Sequence, residues 1–323
     1  MQTSRRVLLA LLGTVALAQA GHAAAAGTRT VAVTAIVEHP ALDAARDGIR
    51  EALAEAGFKD GDGFRFTYES AQGNPATAAQ IARKLVGERP DVIVPISTPS
   101  AQTVVSATKD IPVVFTAVTD PVGAKLITNP DHPGGNVTGV SDLSPIGQHL
   151  DLVKEITPNV KHLGVVYNPG EENAVTLVRL IQKEAPARGL EIRTAASPKS
   201  SDVLPAAQSL VGAVDAIYVP TDNTVVTALE AIIKVGQQNR IPVFAGDTDS
   251  VPRGAIAALG FNYKDVGRQT GQIVARVLNG EKPGDIPVEG IKITELVVNP
   301  KAAASMGVTI PDAVVKRAKT VVQ

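Results

Sequence analysis

The sequence predicts an α/β protein of two similar halves, each a parallel sheet flanked by helices. Three observations point there. Short apolar runs alternate with longer amphipathic ones along most of the 323 residues, the sequence form of βαβ units. Several of these apolar runs are continuous, as strands covered by helices on both faces are. Finally, DVIVPISTPS (91–100) returns as DAIYVPTDNT (215–224): an aspartate, a β-branched run broken late by proline, then small polar residues that open a helix-like segment. Each copy is followed by a helical pattern and by Ile-Pro-Val, at 111–113 and 241–243, ending in Thr119-Asp120 in one half and Asp247-Thr248-Asp249 in the other.

The elements follow in order. TVAVTAIV (30–37) reads as a strand, and 40–57 as a helix stopped by Gly57. FRFTYES (64–70) is a strand, 75–88 a helix, DVIVPI (91–96) a strand, 99–109 a helix and IPVVFTAV (111–118) a strand. Residues 119–145 are rich in Gly, Pro, Asn and Asp and poor in periodicity, so a linker or crossover belongs there. Alternation resumes with strands at 162–168, 190–196, 215–220 and 241–247, separated by helices at 171–189, near 201–212 and at 224–239. A strand at 254–261, a helix at 264–280 closed by Gly280, a strand at 291–299 and a last helix within 311–321 complete the chain.

Bulk properties narrow the function classes. Apolar residues make up 44% and charged residues 20%, a globular composition with length enough for two cores. A formal net charge of −1 offers no basic face for nucleic acid. The N-terminus has Arg5-Arg6, an apolar run from Val7 to about Ala18 and Ala-x-Ala options at Ala18–Ala20 and Ala24–Ala26, which is the pattern of a cleaved secretory signal over residues 1–26. Ser4-Arg5-Arg6 has a partial twin-arginine look, and the export route stays open. With no cysteine, the chain has no disulfide, thiolate metal site or cysteine nucleophile.

Ligands of open α/β sheets sit beyond the carboxyl ends of the strands, where helix N-termini offer free N–H groups and partial positive charge. Ser97 and Thr98 occupy such an edge in the first half; Thr221, Asp222, Asn223 and Thr224 occupy one in the second. Any one of these residues alone reads as an ordinary helix N-cap. The recurrence of the same edge in both halves favours a ligand clamp. Asp222 and Asp247 are carboxylates at strand ends, able to hold a cation such as an ammonium or simply to sit in solvent, and Thr119-Asp120-Pro121 reads equally as a site or a turn. Enzyme signals are weak: the histidines at 22, 39, 132, 149 and 162 show no metal spacing, and no phosphate loop, nucleophile elbow or dinucleotide fingerprint occurs. No catalytic residue, metal or cofactor is expected.

VEHPALDAARDGIREAL (37–53), STPSAQTVVSAT (97–108), IPVVFTAVTDPVGAKLI (111–127), NVTGVSD (136–142), GVVYNPGEENAV (164–175), PTDNTVVTALEAI (220–232) and IPVFAGD (241–247) together resemble the ABC-transporter substrate-binding proteins of the tryptophan- and tyrosine-binding type. The resemblance spans nearly the whole chain after the signal. It implies a type I periplasmic-binding-protein fold: two Rossmann-like lobes joined by hinge crossovers, with lobe 1 at 28–140 plus about 262–288 and lobe 2 at about 145–260 plus 291–323. It also implies a periplasmic, monomeric receptor that encloses an amino-acid-like ligand and delivers it to a membrane permease with a separate ATPase.

On that reading Ser97, Thr98 and Thr119 suit an α-carboxylate, and Asp222, then Asp120 and Asp247, suit an α-ammonium. Glu171 and Asn173 are candidates from the second lobe; Tyr263, Glu38 and His39 are candidates for the wall of the side-chain pocket. The chain has no tryptophan and only 3% aromatic residues, so branched aliphatic amino acids and solutes other than amino acids stay open beside aromatic ones. Two other classes remain beside the importer: a sensory subunit that reports ligand occupancy to a membrane kinase, and a secreted enzyme on the same scaffold.

Overall fold

The computed structural model describes residues 28–291 and 293–323, and the signal expected over 1–26 lies outside them. The chain begins in one lobe with β1 (Arg29–Ala35), α1 (Pro40–Glu55), β2 (Phe64–Ser70), α2 (Pro75–Glu88), β3 (Val92–Ile96), α3 (Thr98–Ala107), β4 (Val113–Val118) and β5 (Val137–Ser141). It crosses into a second lobe with α4 (Ile146–Ile156), β6 (His162–Tyr167), α5 (Glu172–Glu184), β7 (Glu191–Ala196), α6 (Val203–Ser209), β8 (Ala216–Val219), α7 (Asn223–Thr227), α8 (Leu229–Asn239), β9 (Val243–Ala245) and β10 (Ala257–Gly260). It returns to the first for α9 (Tyr263–Leu278) and β11 (Glu289–Gly290). The second lobe is then completed by β12 (Glu295–Val298), α10 (Pro300–Ser305), α11 (Asp312–Arg317) and β13 (Thr320–Val321).

The first sheet has the order β11-β5-β4-β3-β1-β2 and is parallel throughout. The second, β13-β12-β10-β9-β8-β6-β7, is parallel except where β12 runs against β10. Strand alternation explains why the runs are continuously apolar: Val31 and Val33 pack with α1 and α9 on one face of the first sheet, while Ala32 packs toward α2 and α3 on the other. Helices α1 and α9 approach closely enough to require glycine. A Cβ at Gly267 would lie 1.9 Å from the Ala45 carbonyl oxygen, and one at Gly48 would lie 2.1 Å from that of Lys264.

Besides the short β11 and α10, which the sequence reading does not anticipate, four further elements differ from it. The turn-rich stretch 119–145 contains the buried strand β5, whose five residues are too few to show a period through Gly139. The sequence reading assigns nothing to 146–161, yet Ile146, Leu150 and Val153 recur at helical spacing and bury one face of α4. The single helix expected at 224–239 breaks at Ala228, where the Thr227 hydroxyl donates to the Asn223 carbonyl (2.7 Å) inside the last turn of α7. At the C-terminus Ala318 turns extended, and Thr320–Val321 pair with β12 instead of prolonging the helix.

Candidate functional site

The carboxyl ends of β1, β3 and β4 in the first lobe face those of β8 and β9 in the second across a cavity. The first-lobe wall is built by two helix starts. Residue 39 precedes α1, which begins at Pro40 and has no side-chain cap; Ala41 and Leu42 of its first turn line the cavity. Ser97 precedes α3 and also makes no capping bond. Both helices therefore present uncapped first turns, with partial positive charge, from adjacent strands.

Ser97 is held at φ 76° and ψ 160°, a conformation that residues other than glycine rarely adopt. Its N–H donates to the Thr116 carbonyl (2.9 Å), which fixes the turn, while its buried Oγ lines the cavity without a partner. Ala117, also at positive φ (53°), and Thr119 continue this wall from β4. Beside them Asp142, just past β5, accepts from Thr119 Oγ1 (3.2 Å) and from the Tyr263 hydroxyl (2.6 Å). Burial pushes the Asp142 carboxyl up, opposed by those two donors. Burial and the charge of Asp142 push the Tyr263 phenol well above its ordinary range, so it remains a donor.

The second-lobe wall comes from the start of α5 and the β8–α7 turn. Asp222 caps α7, accepting from the Val225 N–H (2.9 Å), and with its other oxygen from the Asn168 N–H (2.5 Å). Burial, and then the nearby Glu171 charge, push its pKa well up. Asp247, past β9, accepts from the Ser250 N–H (2.8 Å) and hydroxyl (2.6 Å) and is likewise raised by burial. Asn173 Oδ1 and Thr221 Oγ1 are buried in this wall without partners. His39 faces them from the first lobe; burial and the Arg253 charge lower its pKa to about 4, so it is neutral near pH 7. None of the cavity-lining side chains is a lysine or arginine.

Of the residues singled out from sequence, the structure gathers Ser97, Thr119, Asn173, Thr221, Asp222, Asn223, Asp247, Tyr263 and His39 around this cavity. Five are not on its wall, among them Thr224, whose hydroxyl donates to Glu171 Oε1 (2.7 Å). Thr98 is buried in the first turn of α3. Asp120 turns onto its own loop, accepting from the N–H groups of Val122 (3.2 Å) and Gly123 (2.8 Å). Glu38 is exposed and bonded to Gln72 Nε2 (2.9 Å), and Glu171 lies behind the wall among its asparagines. The candidates missed Asp142, whose only sequence signal is an acid just after a short strand, and Ala117 and Val226, which carry no polar atom to notice.

A family model described as ABC transporter substrate binding protein matches residues 30–322. A tyrosine-binding protein of Clostridioides difficile (strain R20291) is 42% identical over 271 residues, covering 84% of this chain and 79% of that protein. The structure of an ABC domain in complex with L-Trp from Streptococcus pneumonia is 37% identical, with a TM-score of 0.89, covering 92% of this chain and 100% of that one. A ligand-free, open structure of a substrate binding protein with adhesive properties from Clostridium difficile is 38% identical, with a TM-score of 0.69, covering 91% and 99%.

Proposed function

The chain belongs to the family of ABC transporter substrate-binding proteins, with the type I periplasmic-binding-protein fold, and from that premise we propose that its cavity captures a free aromatic amino acid. The observation that supports this most is the polarity of the two walls. The first lobe offers neutral donors and uncapped helix N-termini, the Ser97 hydroxyl among them, without any cationic side chain. Such a wall suits a carboxylate held by dipoles. The second lobe and the hinge offer buried acceptors, with Asn173 Oδ1 unpartnered. Such a wall suits an ammonium. A zwitterion laid across the cleft satisfies both.

Ala41, Leu42 and Val226 supply apolar surface for the ligand's side chain. The relatives named for tyrosine and for L-Trp support the same class. The lobes match the L-Trp complex better than the ligand-free open structure although the identities are nearly equal, which supports reading this arrangement as the closed one. Closure about the three crossovers then encloses the ligand, and the receptor delivers it to a membrane permease driven by a separate ATPase.

Titration calorimetry on protein lacking residues 1–26, stripped by partial unfolding and dialysis, tests the ligand. Saturable one-to-one binding of L-tyrosine or L-tryptophan is expected. Heat only with sugars or free acids would discard the amino-acid reading. Uptake of the labelled ligand by cells lacking the gene tests delivery, and unchanged uptake would sink it.

A further inference from the structure

We infer that Glu171 is a positioning residue: without touching the ligand, it turns the amide oxygens of Asn173 and Asn223 toward the cavity side, making the second-lobe wall an acceptor surface that selects for the ligand's ammonium. This deepens the amino-acid reading and rests on it.

Every hydrogen-bond partner of the Glu171 carboxyl is a donor, with the Asp222 carboxyl the one acidic group nearby among the described residues. Its Oε2 accepts from Asn223 Nδ2 (2.5 Å), the Asn223 N–H (3.2 Å) and Asn173 Nδ2 (3.3 Å). Its Oε1 accepts from Thr224 Oγ1 (2.7 Å), the Thr224 N–H (3.0 Å) and Asn168 Nδ2 (3.4 Å). A carboxylate can only accept, so each asparagine must turn its NH₂ toward it and its oxygen away. For Asn173 the choice is made twice, because the same Nδ2 also donates to the Thr221 carbonyl (3.0 Å). Its Oδ1 is left buried, unpartnered and on the cavity wall.

One carboxyl, itself off the cavity wall, thus leaves the Asn173 Oδ1 lone pairs buried and unsatisfied. A ligand N–H group relieves them; a ligand lacking one leaves them stranded.

The test compares dissociation constants for L-tyrosine and L-tryptophan with those for their des-amino analogues, 3-(4-hydroxyphenyl)propionate and indole-3-propionate. The wild type should prefer the amino acid by about 100-fold or more. Glu171→Gln places an NH₂ group among the asparagines, lets their amides flip, and should cut that preference to below about 10-fold. If both affinities fall together with the ratio unchanged, Glu171 is merely structural and the inference is overturned while the amino-acid reading stands. If the wild type binds neither amino acid, that reading fails and takes the inference with it. Should Glu171→Gln lose its cooperative melt, Asn173→Ala decides: it removes the acceptor itself, and an unchanged ratio again overturns the proposal.

Discussion

The Tyr263 hydroxyl donates a 2.6 Å hydrogen bond to Asp142 across 121 residues of sequence, tying the first crossover between the lobes to the start of the helix that follows the second. Both residues are buried and both line the cavity, so the bond belongs at once to a crossover between the lobes and to the cavity wall. Removing the donor leaves a buried carboxylate with only Thr119 as partner. Tyr263→Phe should therefore lower unfolding free energy by about 1–3 kcal/mol and slow or weaken ligand capture. Urea denaturation read beside stopped-flow binding checks both, and a change below about 0.5 kcal/mol would mean the bond contributes little.

Ser97 stores strain where its hydroxyl is wanted. Its backbone conformation costs on the order of 1–3 kcal/mol for a residue with a Cβ. Ser97→Gly relieves this, less the extra chain entropy of glycine at roughly 0.5–1 kcal/mol, and should stabilise the ligand-free protein by about 1 kcal/mol. If the proposed carboxylate contact is made, the same substitution removes a hydrogen bond to a charged group, about 1.5–3 kcal/mol, and affinity should fall roughly 10- to 150-fold. Ser97→Ala should show the affinity loss without the stability gain. A glycine variant that binds as well as the wild type would take Ser97 out of the site.

Asp222 is a structural clamp first. Asp222→Ala strands the buried N–H groups of Asn168 and Val225 and should cost roughly 2–5 kcal/mol, whereas Asp222→Asn keeps one acceptor and should cost about half as much. Chemical denaturation of the pair decides it. Equal and small losses would show that those N–H groups find other partners.

Acid pH should reveal the buried histidine of the second lobe. His149 contacts the Tyr218 hydroxyl at 2.6 Å, and burial lowers its pKa to about 4. Between about pH 6.5 and 4 the unfolded chain holds a proton that the folded one does not. Its contribution is thus complete above 6.5 and is lost as pH falls, by about 3 kcal/mol in all. Raised carboxyls such as Asp249, pushed up to about 6 by burial and Asp247, work in the opposite direction. The difference between wild type and His149→Gln isolates the histidine. That difference should move by about 3 kcal/mol against the wild type from pH 7 to 4, and a flat difference would sink the assignment.

Much of this was legible before any coordinates. Continuous apolar runs such as VIVPI mark strands covered on both faces, and a polar cluster straight after one marks an edge of the cavity, which is how Ser97 and Asp222 stand out. Asp142 hides because an acid in a Gly- and Asn-rich stretch reads as a turn, and only the sheet order brings it beside Tyr263. Glu171 shows the other limit. Its place at a helix start is visible in the sequence, yet its role depends on which groups of distant residues face it, and those lie 52 and 53 positions away.

Helix α9 seals the first lobe against α1, yet it is synthesised only after the whole run from α4 to β10. While the chain emerges, Leu42, Ile49 and Leu53 on α1 have no partner helix to lie against. The uninterrupted strands β6 to β10 can meanwhile assemble as a unit. Neither lobe is therefore finished until the chain has passed β10, the first closing when α9 and β11 arrive and the second when β12 to β13 follow, so the apolar face of α1 stays open through most of synthesis.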